Sequence, residues 1–116
     1  MRTYPLKLVT IITESVIEHR LTVDLLALGA SGFSVVEGRG EGTRHLHASD
    51  FPGANVRIET VVPPEVADRI LAHLADRYFQ DYSIIAYQTD VAVVRSEKYA
   101  AAHSAHPRSG APHADR

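Results

Sequence analysis

Residues 55–78 read NVRIETVVPPEVADRILAHLADRY, a strand and a helix with their boundary written in proline. From Asn55 to Val62, the residues Val56, Ile58, Thr60 and Val62 alternate with Arg57 and Glu59. That two-residue period belongs to a strand with one apolar face and one charged face. Pro63 and Pro64 close the strand and open a helix, because a proline in the first turn gives up only an N–H that has no partner there. Val66, Ile70, Leu74 and Tyr78, flanked by Ala67 and Leu71, then recur at helical spacing and form a stripe to be buried.

The same strand-then-helix unit stands earlier in the chain. Leu6 to Thr13 (LKLVTIIT) is apolar on both faces, Leu8 and Ile12 on one and Val9 and Ile11 on the other, so both are expected to be covered. Thr13 is placed to cap a helix that begins at the acidic Glu14 and carries Val16, Ile17, Leu21, Leu25 and Leu28 as its stripe. Gly29 and Gly32 end it. Phe33 to Glu37 forms a second short strand, Gly38 to Gly53 a polar, glycine-rich loop, and Tyr82 to Val94 the last strand.

The order strand, helix, strand, strand, helix, strand, joined by right-handed crossovers, predicts an α+β fold of the ferredoxin-like βαββαβ type. Four antiparallel strands carry both helices on one face. The first strand and the last, with Ile85, Val91 and Val93 on one side, leave an apolar sheet face that no helix covers, and another copy of the chain is the simplest cover for it.

With 116 residues, 45% of them hydrophobic, the chain has room for one domain, residues 1–95, in which residues 39–54 are the mobile loop. After Val94 no Val, Ile, Leu or Phe remains, so residues 96–116 are expected to be a disordered tail. The absence of cysteine excludes thiolate catalysis, Cys-ligated metals and disulfides, and suits a reducing, cytoplasmic setting. The apolar run at the start has only a strand's length, too short for a signal peptide or membrane anchor. A formal charge of −2 with dispersed Lys and Arg disfavours nucleic acid as a partner.

The local sequence with most chemistry in it is Gly38-Arg39-Gly40-Glu41-Gly42-Thr43-Arg44, where a strand ends and the loop begins. Glycines let backbone N–H groups approach an anion, and Thr43 and Arg44 add donors suited to phosphate. The spacing matches neither a dinucleotide-binding fingerprint nor a P-loop, and as a bare motif it serves equally as a flexible loop.

Five stretches together, KLVTIITE, LGASGFSVVEGRG, GEGTR, NVRIETVV and YFQDYSIIAY, resemble the PII-like signalling proteins, closest to their SbtB and carboxysome-associated PII (CPII) branch. The resemblance covers nearly all of Leu6 to Arg95. It implies a homotrimer that binds adenine nucleotides in clefts between subunits, at the base of a mobile segment called the T-loop. Gly38, Gly40 and Gly42 resemble glycines at that base, Thr43 and Arg44 a phosphate-binding Ser-Arg pair, and Arg57, Glu59 and Arg95 positions that line the cleft. Phe79-Gln80-Asp81-Tyr82-Ser83 lacks the Gly-rich, Lys-containing loop with which regulatory PII proteins hold ATP. ADP or AMP is therefore favoured, with ATP and cyclic AMP as further candidates and bicarbonate as a co-ligand. The resemblance further implies regulation of a partner in inorganic-carbon physiology, either a bicarbonate transporter or a carboxysome component.

Two other readings compete with this one. His45, His47, His103, His106 and His113 fall in the loop and tail, and imidazoles this close suit a metal-responsive trimer resembling the CutA proteins. No carboxylate spacing completes such a site, so no metal site is expected. A small α+β-barrel enzyme is the other rival. Glu14, Asp24, Asp68 and Asp76 read as solvated helix residues, no Ser-His-Asp or paired-carboxylate set can be assembled, and no catalytic residue is expected.

Overall fold

Val9 and Ile11, at the middle of the first strand, are fully buried, and the rest of the fold is arranged about them. The computed structural model describes residues 1–40 and 54–94. Along these the order is β1 (Tyr4–Glu14), a single 3-10 turn (Ser15–Ile17), α1 (Glu18–Leu28), β2 (Ser34–Gly38), β3 (Asn55–Val62), α2 (Pro64–Arg77) and β4 (Ile84–Val93). The strands lie in the order β2-β3-β1-β4, every neighbouring pair antiparallel, which is the arrangement expected of a ferredoxin-like sheet.

Register decides which residues meet the helices. Val9, Ile11 and Thr13 of β1 stand opposite Thr60, Ile58 and Val56 of β3, and all six are buried. Val9, Ile11, Val56, Ile58 and Val62 pack with Ile17, Leu21 and Leu25 from the first helical segment and Val66, Ala67, Ile70, Leu74 and Tyr78 from the second. Both helices therefore cover one face. Each large apolar side chain buried there contributes about 1.5–3 kcal/mol, and this layer is the main source of stability.

The second helix follows its sequence closely. Pro63 is extended, Pro64 takes the first helical position, and the amides of Val66 and Ala67 both donate to the Pro63 carbonyl at 3.0 Å. Its last turn does not run directly into a strand. The amides of Asp81 and Tyr82 both donate to the Tyr78 carbonyl at 3.1 Å, so Tyr82 and Ser83 belong to a turn and β4 starts at Ile84.

The first helix departs from expectation at its start. Thr13 caps nothing: it stays in β1, and its hydroxyl donates to the Ser83 carbonyl at 2.9 Å. Pairing with β3 continues to the Glu14–Asn55 position, and the extended ladder wins over the local capping preference. A 3-10 turn intervenes and α1 proper starts at Glu18, which leaves Val16 77% exposed and the stripe reduced to Ile17, Leu21 and Leu25, with Leu28 partly covered. The end agrees with expectation at Gly29 and not at Gly32, which has no positive φ. Gly29 has φ 121°, its amide donates to the Leu26 carbonyl and that of Ala30 to Leu25, the pair of bonds that closes a helix through a left-handed residue.

Candidate functional site

On the face away from both helices the sheet presents cross-strand rows, and three of them lie at the end where β2 stops and β3 starts. Gly38, Asn55 and Glu14 form the first; Val36, Arg57, Ile12 and Ile85 the second; Ser34, Glu59, Thr10 and Tyr87 the third. Further from the loop the face carries Leu8, Val61, Leu6, Val91, Tyr4 and Val93. Val36, Ile85 and Tyr87 are exposed large apolar residues, so an open apolar wall flanks the charged pair Arg57 and Glu59.

That pair results from strand periodicity. Two positions apart on β3, both side chains leave the sheet on the same side, and Arg57 Nε comes within 3.8 Å of Glu59 Oε2. The separation is an ion pair but too long for a hydrogen bond, so this contact uses none of the hydrogen-bonding capacity of either group. With side-chain exposures of 51% and 37% they face water, where such a pair adds little to stability. Its chemistry suits a ligand that carries both an acceptor for guanidinium and a donor for carboxylate.

Gly38 ends β2 and Gly40 follows it, but neither has the conformation that a glycine suggests. Among the described residues only Gly29 has a positive φ. Gly38 is an extended ladder residue opposite Asn55, and a Cβ built on it would meet no atom of the described residues within 4 Å. A Cβ on Gly40 would stand 3.8 Å from Asn55 Nδ2, an ordinary contact. Asn55 fastens the loop base, its Nδ2 donating to the Gly40 carbonyl at 3.4 Å, while the Ser15 amide donates to the Ala54 carbonyl at 3.0 Å. Gly42, Thr43, Arg44 and Arg95 lie outside the described residues, as do His45, His47, His103, His106 and His113. Among the described residues no group of three or more His, Asp or Glu could hold a metal ion.

Two carboxylates that read as solvated in sequence are engaged. Glu14 Oε2 accepts the Ser83 amide at 2.7 Å, which ties β1 to the turn before β4 in the row that closes the loop base. Asp24, on α1, accepts through one oxygen from the Tyr78 hydroxyl at 2.6 Å and from His73 Nε2 at 2.9 Å. Partial burial pushes the Asp24 carboxyl up, but the hydrogen bonds from Tyr78 and His73 and the charges of His73 and Arg20 outweigh it and hold the group below its ordinary range. No local pattern signals either contact, since the partners stand 69 and 54 residues apart along the chain.

Comparison with known proteins agrees with this architecture. The family model described as nitrogen regulatory protein P-II matches residues 6–98. Among solved structures, the chain is similar to a PII-like signalling protein of Thermus thermophilus, with 48% identity and a TM-score of 0.73 over 85% of this chain and 99% of that one. It is also similar to CPII of Thiomonas intermedia, a nitrogen regulatory PII-like protein solved bound to ADP, AMP and bicarbonate; here identity is 26% and the TM-score 0.70 over 81% of this chain and 98% of that one. A structure of the same protein bound to ADP, AMP and acetate is 27% identical, with a TM-score of 0.70 over 85% and 98% of the two chains. With the family match spanning most of its length, and the sheet order and helix placement in agreement, the chain belongs to the P-II family, among its PII-like members.

Proposed function

We propose that this chain is a PII-like signal-transduction protein that binds an adenine nucleotide, ADP or AMP, with bicarbonate as a co-ligand. The site lies at the foot of the loop, where Gly38, Gly40, Arg57 and Glu59 share one corner of the uncovered face. The observation that carries this reading is the exposed Arg57–Glu59 pair, set beside an apolar wall one row from the loop base. An arginine there meets phosphate or carboxylate oxygens, and a glutamate accepts from ribose hydroxyls or an exocyclic amine. The similarity to CPII, whose structures hold ADP, AMP and bicarbonate, supports the same ligand class.

Gly42, Thr43, Arg44 and Arg95 complete the site in this reading, Thr43 and Arg44 as phosphate donors from the loop. Three copies of the chain close their apolar faces on one another, and the nucleotide sits between neighbours. Ligand then orders the loop, so that nucleotide identity becomes affinity for a partner, in inorganic-carbon transport or on a carboxysome. Among the described residues no helix is long and apolar enough to cross a membrane, which suits a regulator that docks on a transporter instead of spanning beside it.

Calorimetry on the full chain with ADP, AMP, ATP, cyclic AMP and zinc, each with and without bicarbonate, tests the ligand. Saturable ADP or AMP binding at one site per chain is expected, strengthened by bicarbonate. Zinc binding with no response to any nucleotide would replace this reading with the metal-responsive one.

A further inference from the structure

Ser83 is held on both sides by consecutive residues of β1: its amide donates to Glu14 Oε2 at 2.7 Å and its carbonyl accepts from the Thr13 hydroxyl at 2.9 Å. The turn that delivers Ser83 to this position hangs from Tyr78, whose carbonyl accepts the amides of both Asp81 and Tyr82. Tyr78 is itself fixed from the outer helix layer. Its hydroxyl donates to Asp24 of α1 at 2.6 Å, and the same carboxylate oxygen lies 2.9 Å from His73 Nε2. One helical turn before Asp24, the Arg20 guanidinium lies 5.1 Å from the Tyr78 ring centroid and its Nη1 donates to the Tyr82 hydroxyl at 3.4 Å. The Tyr78 and Tyr82 rings pack at 6.0 Å.

Beyond Ser83 the path continues without a break. Glu14 pairs with Asn55 across β1 and β3, and Asn55 Nδ2 donates to the Gly40 carbonyl. A path of hydrogen bonds, joined by the pairing of Glu14 with Asn55 across β1 and β3, thus runs from a carboxylate on α1 to Gly40. Local structure does not require it. Helix α1 is already closed by Gly29 and helix α2 is already anchored in the core by Val66, Ile70 and Leu74.

We propose that Asp24 is a positioning residue: by fixing Tyr78 it sets the turn at Ser83, and through Glu14 and Asn55 it sets the loop base. The part of this inference that concerns ligand rests on the adenine-nucleotide reading above; the mechanical part does not. A carboxylate receiving two donors on one oxygen is suited to this task, because its loss leaves the hydroxyl of the buried Tyr78 without its acceptor, and that hydroxyl must then move or donate to a water. The arrangement also predicts that the two ends influence each other reciprocally, so ligand at the loop base tightens the Asp24 cluster.

The test uses the full chain and the variants Asp24→Ala, Tyr78→Phe and their combination, with Ile70→Val as a control that removes a core methyl and no hydrogen bond. Residue-resolved amide exchange, ADP calorimetry and thermal melting are read on each. Both single variants are expected to speed exchange of the Ser83 amide about tenfold and to weaken ADP binding by a similar factor. The double variant should do no more than the stronger single one, as for members of one path. Ile70→Val should lower the melting temperature and leave Ser83 exchange and ADP affinity alone. Unchanged Ser83 exchange in both single variants, or a change that Ile70→Val reproduces at equal loss of stability, overturns the proposal. If wild-type chain binds no ADP, the nucleotide reading falls and Ser83 exchange still decides the positioning role. Should Asp24→Ala not fold, Tyr78→Phe carries the same measurement, since it keeps the ring and removes only the hydroxyl.

Discussion

Tyr78 donates its hydroxyl to Asp24 across the two helices at 2.6 Å, although the two residues read in sequence as a core aromatic and a solvated acid. The contact makes stability depend on pH at both extremes. Burial, then the Asp24 hydrogen bond and charge, push the Tyr78 hydroxyl from 10.0 up to about 12. Between these values the unfolded chain ionises while the folded one does not, so stability is full below pH 10 and falls as pH rises through about 12. Asp24 is shifted the other way, below its ordinary value, so its contribution is present above that value and is lost as pH falls through the depressed one. Denaturant titrations of wild type and Tyr78→Phe from about pH 9 to about 12 check the alkaline limb, which the variant should flatten; an identical slope in the two would assign it to other groups.

Gly29 is the position at which backbone conformation constrains sequence most. Its φ of 121° is strained for any residue with a side chain, and an added Cβ would stand 3.2 Å from Val66 Cγ2 and 3.1 Å from an Arg69 nitrogen. Gly29→Ala should cost about 1–3 kcal/mol, enough to lower the melting temperature by roughly 5–15 °C. Gly38→Ala, in extended backbone with no atom of the described residues within 4 Å of the added Cβ, should melt within about 2 °C of wild type. Calorimetric melting of the two alanine variants side by side makes the comparison, and equal losses would contradict the assigned backbone.

The ease with which this fold reads from sequence has a physical origin. Where one signal governs a segment, as in the alternation of Val56, Ile58, Thr60 and Val62 or the proline boundary before Val66, sequence and structure agree to the residue. Where two signals compete, local preference gives way. Thr13 and Glu14 look like a helix cap and first turn, yet pairing with Val56 and Asn55 keeps them in the strand, and the helix starts a turn later. The site shows the same division. Arg57 and Glu59 were legible because strand period alone puts both on the uncovered face, whereas Asn55, Glu14 and Asp24 take their roles from partners distant in sequence, which no local pattern encodes.

Ile85 is 58% exposed in the single chain, beside Tyr87 on β4 and one row from the loop base. If three copies close on this face, a charge there must be desolvated on assembly at a cost of several kcal/mol, while the isolated fold loses almost nothing. Ile85→Lys should therefore leave the circular-dichroism spectrum unchanged and convert a trimer into monomers by light scattering. A wild-type chain that is monomeric throughout, or an Ile85→Lys chain that still assembles, would place the interface elsewhere.

Arg57 separates the ligand reading from a merely solvated strand face. Its ion pair with Glu59 is loose and exposed, so Arg57→Ala should change stability by no more than about 0.5 kcal/mol. A guanidinium that meets a phosphate or carboxylate oxygen in a partly closed cleft contributes more, about 1.5–3 kcal/mol as a charged hydrogen bond, which is roughly a tenfold to hundredfold loss of ADP affinity on removal. Arg57→Lys keeps the charge and loses the planar fork, and should recover only part of that affinity. Calorimetry of the two variants against wild type gives the ordering directly. Equal affinities in all three, with melting temperatures also equal, would mean that the pair serves only to hydrate the end of the sheet and that the phosphate is held by the loop alone.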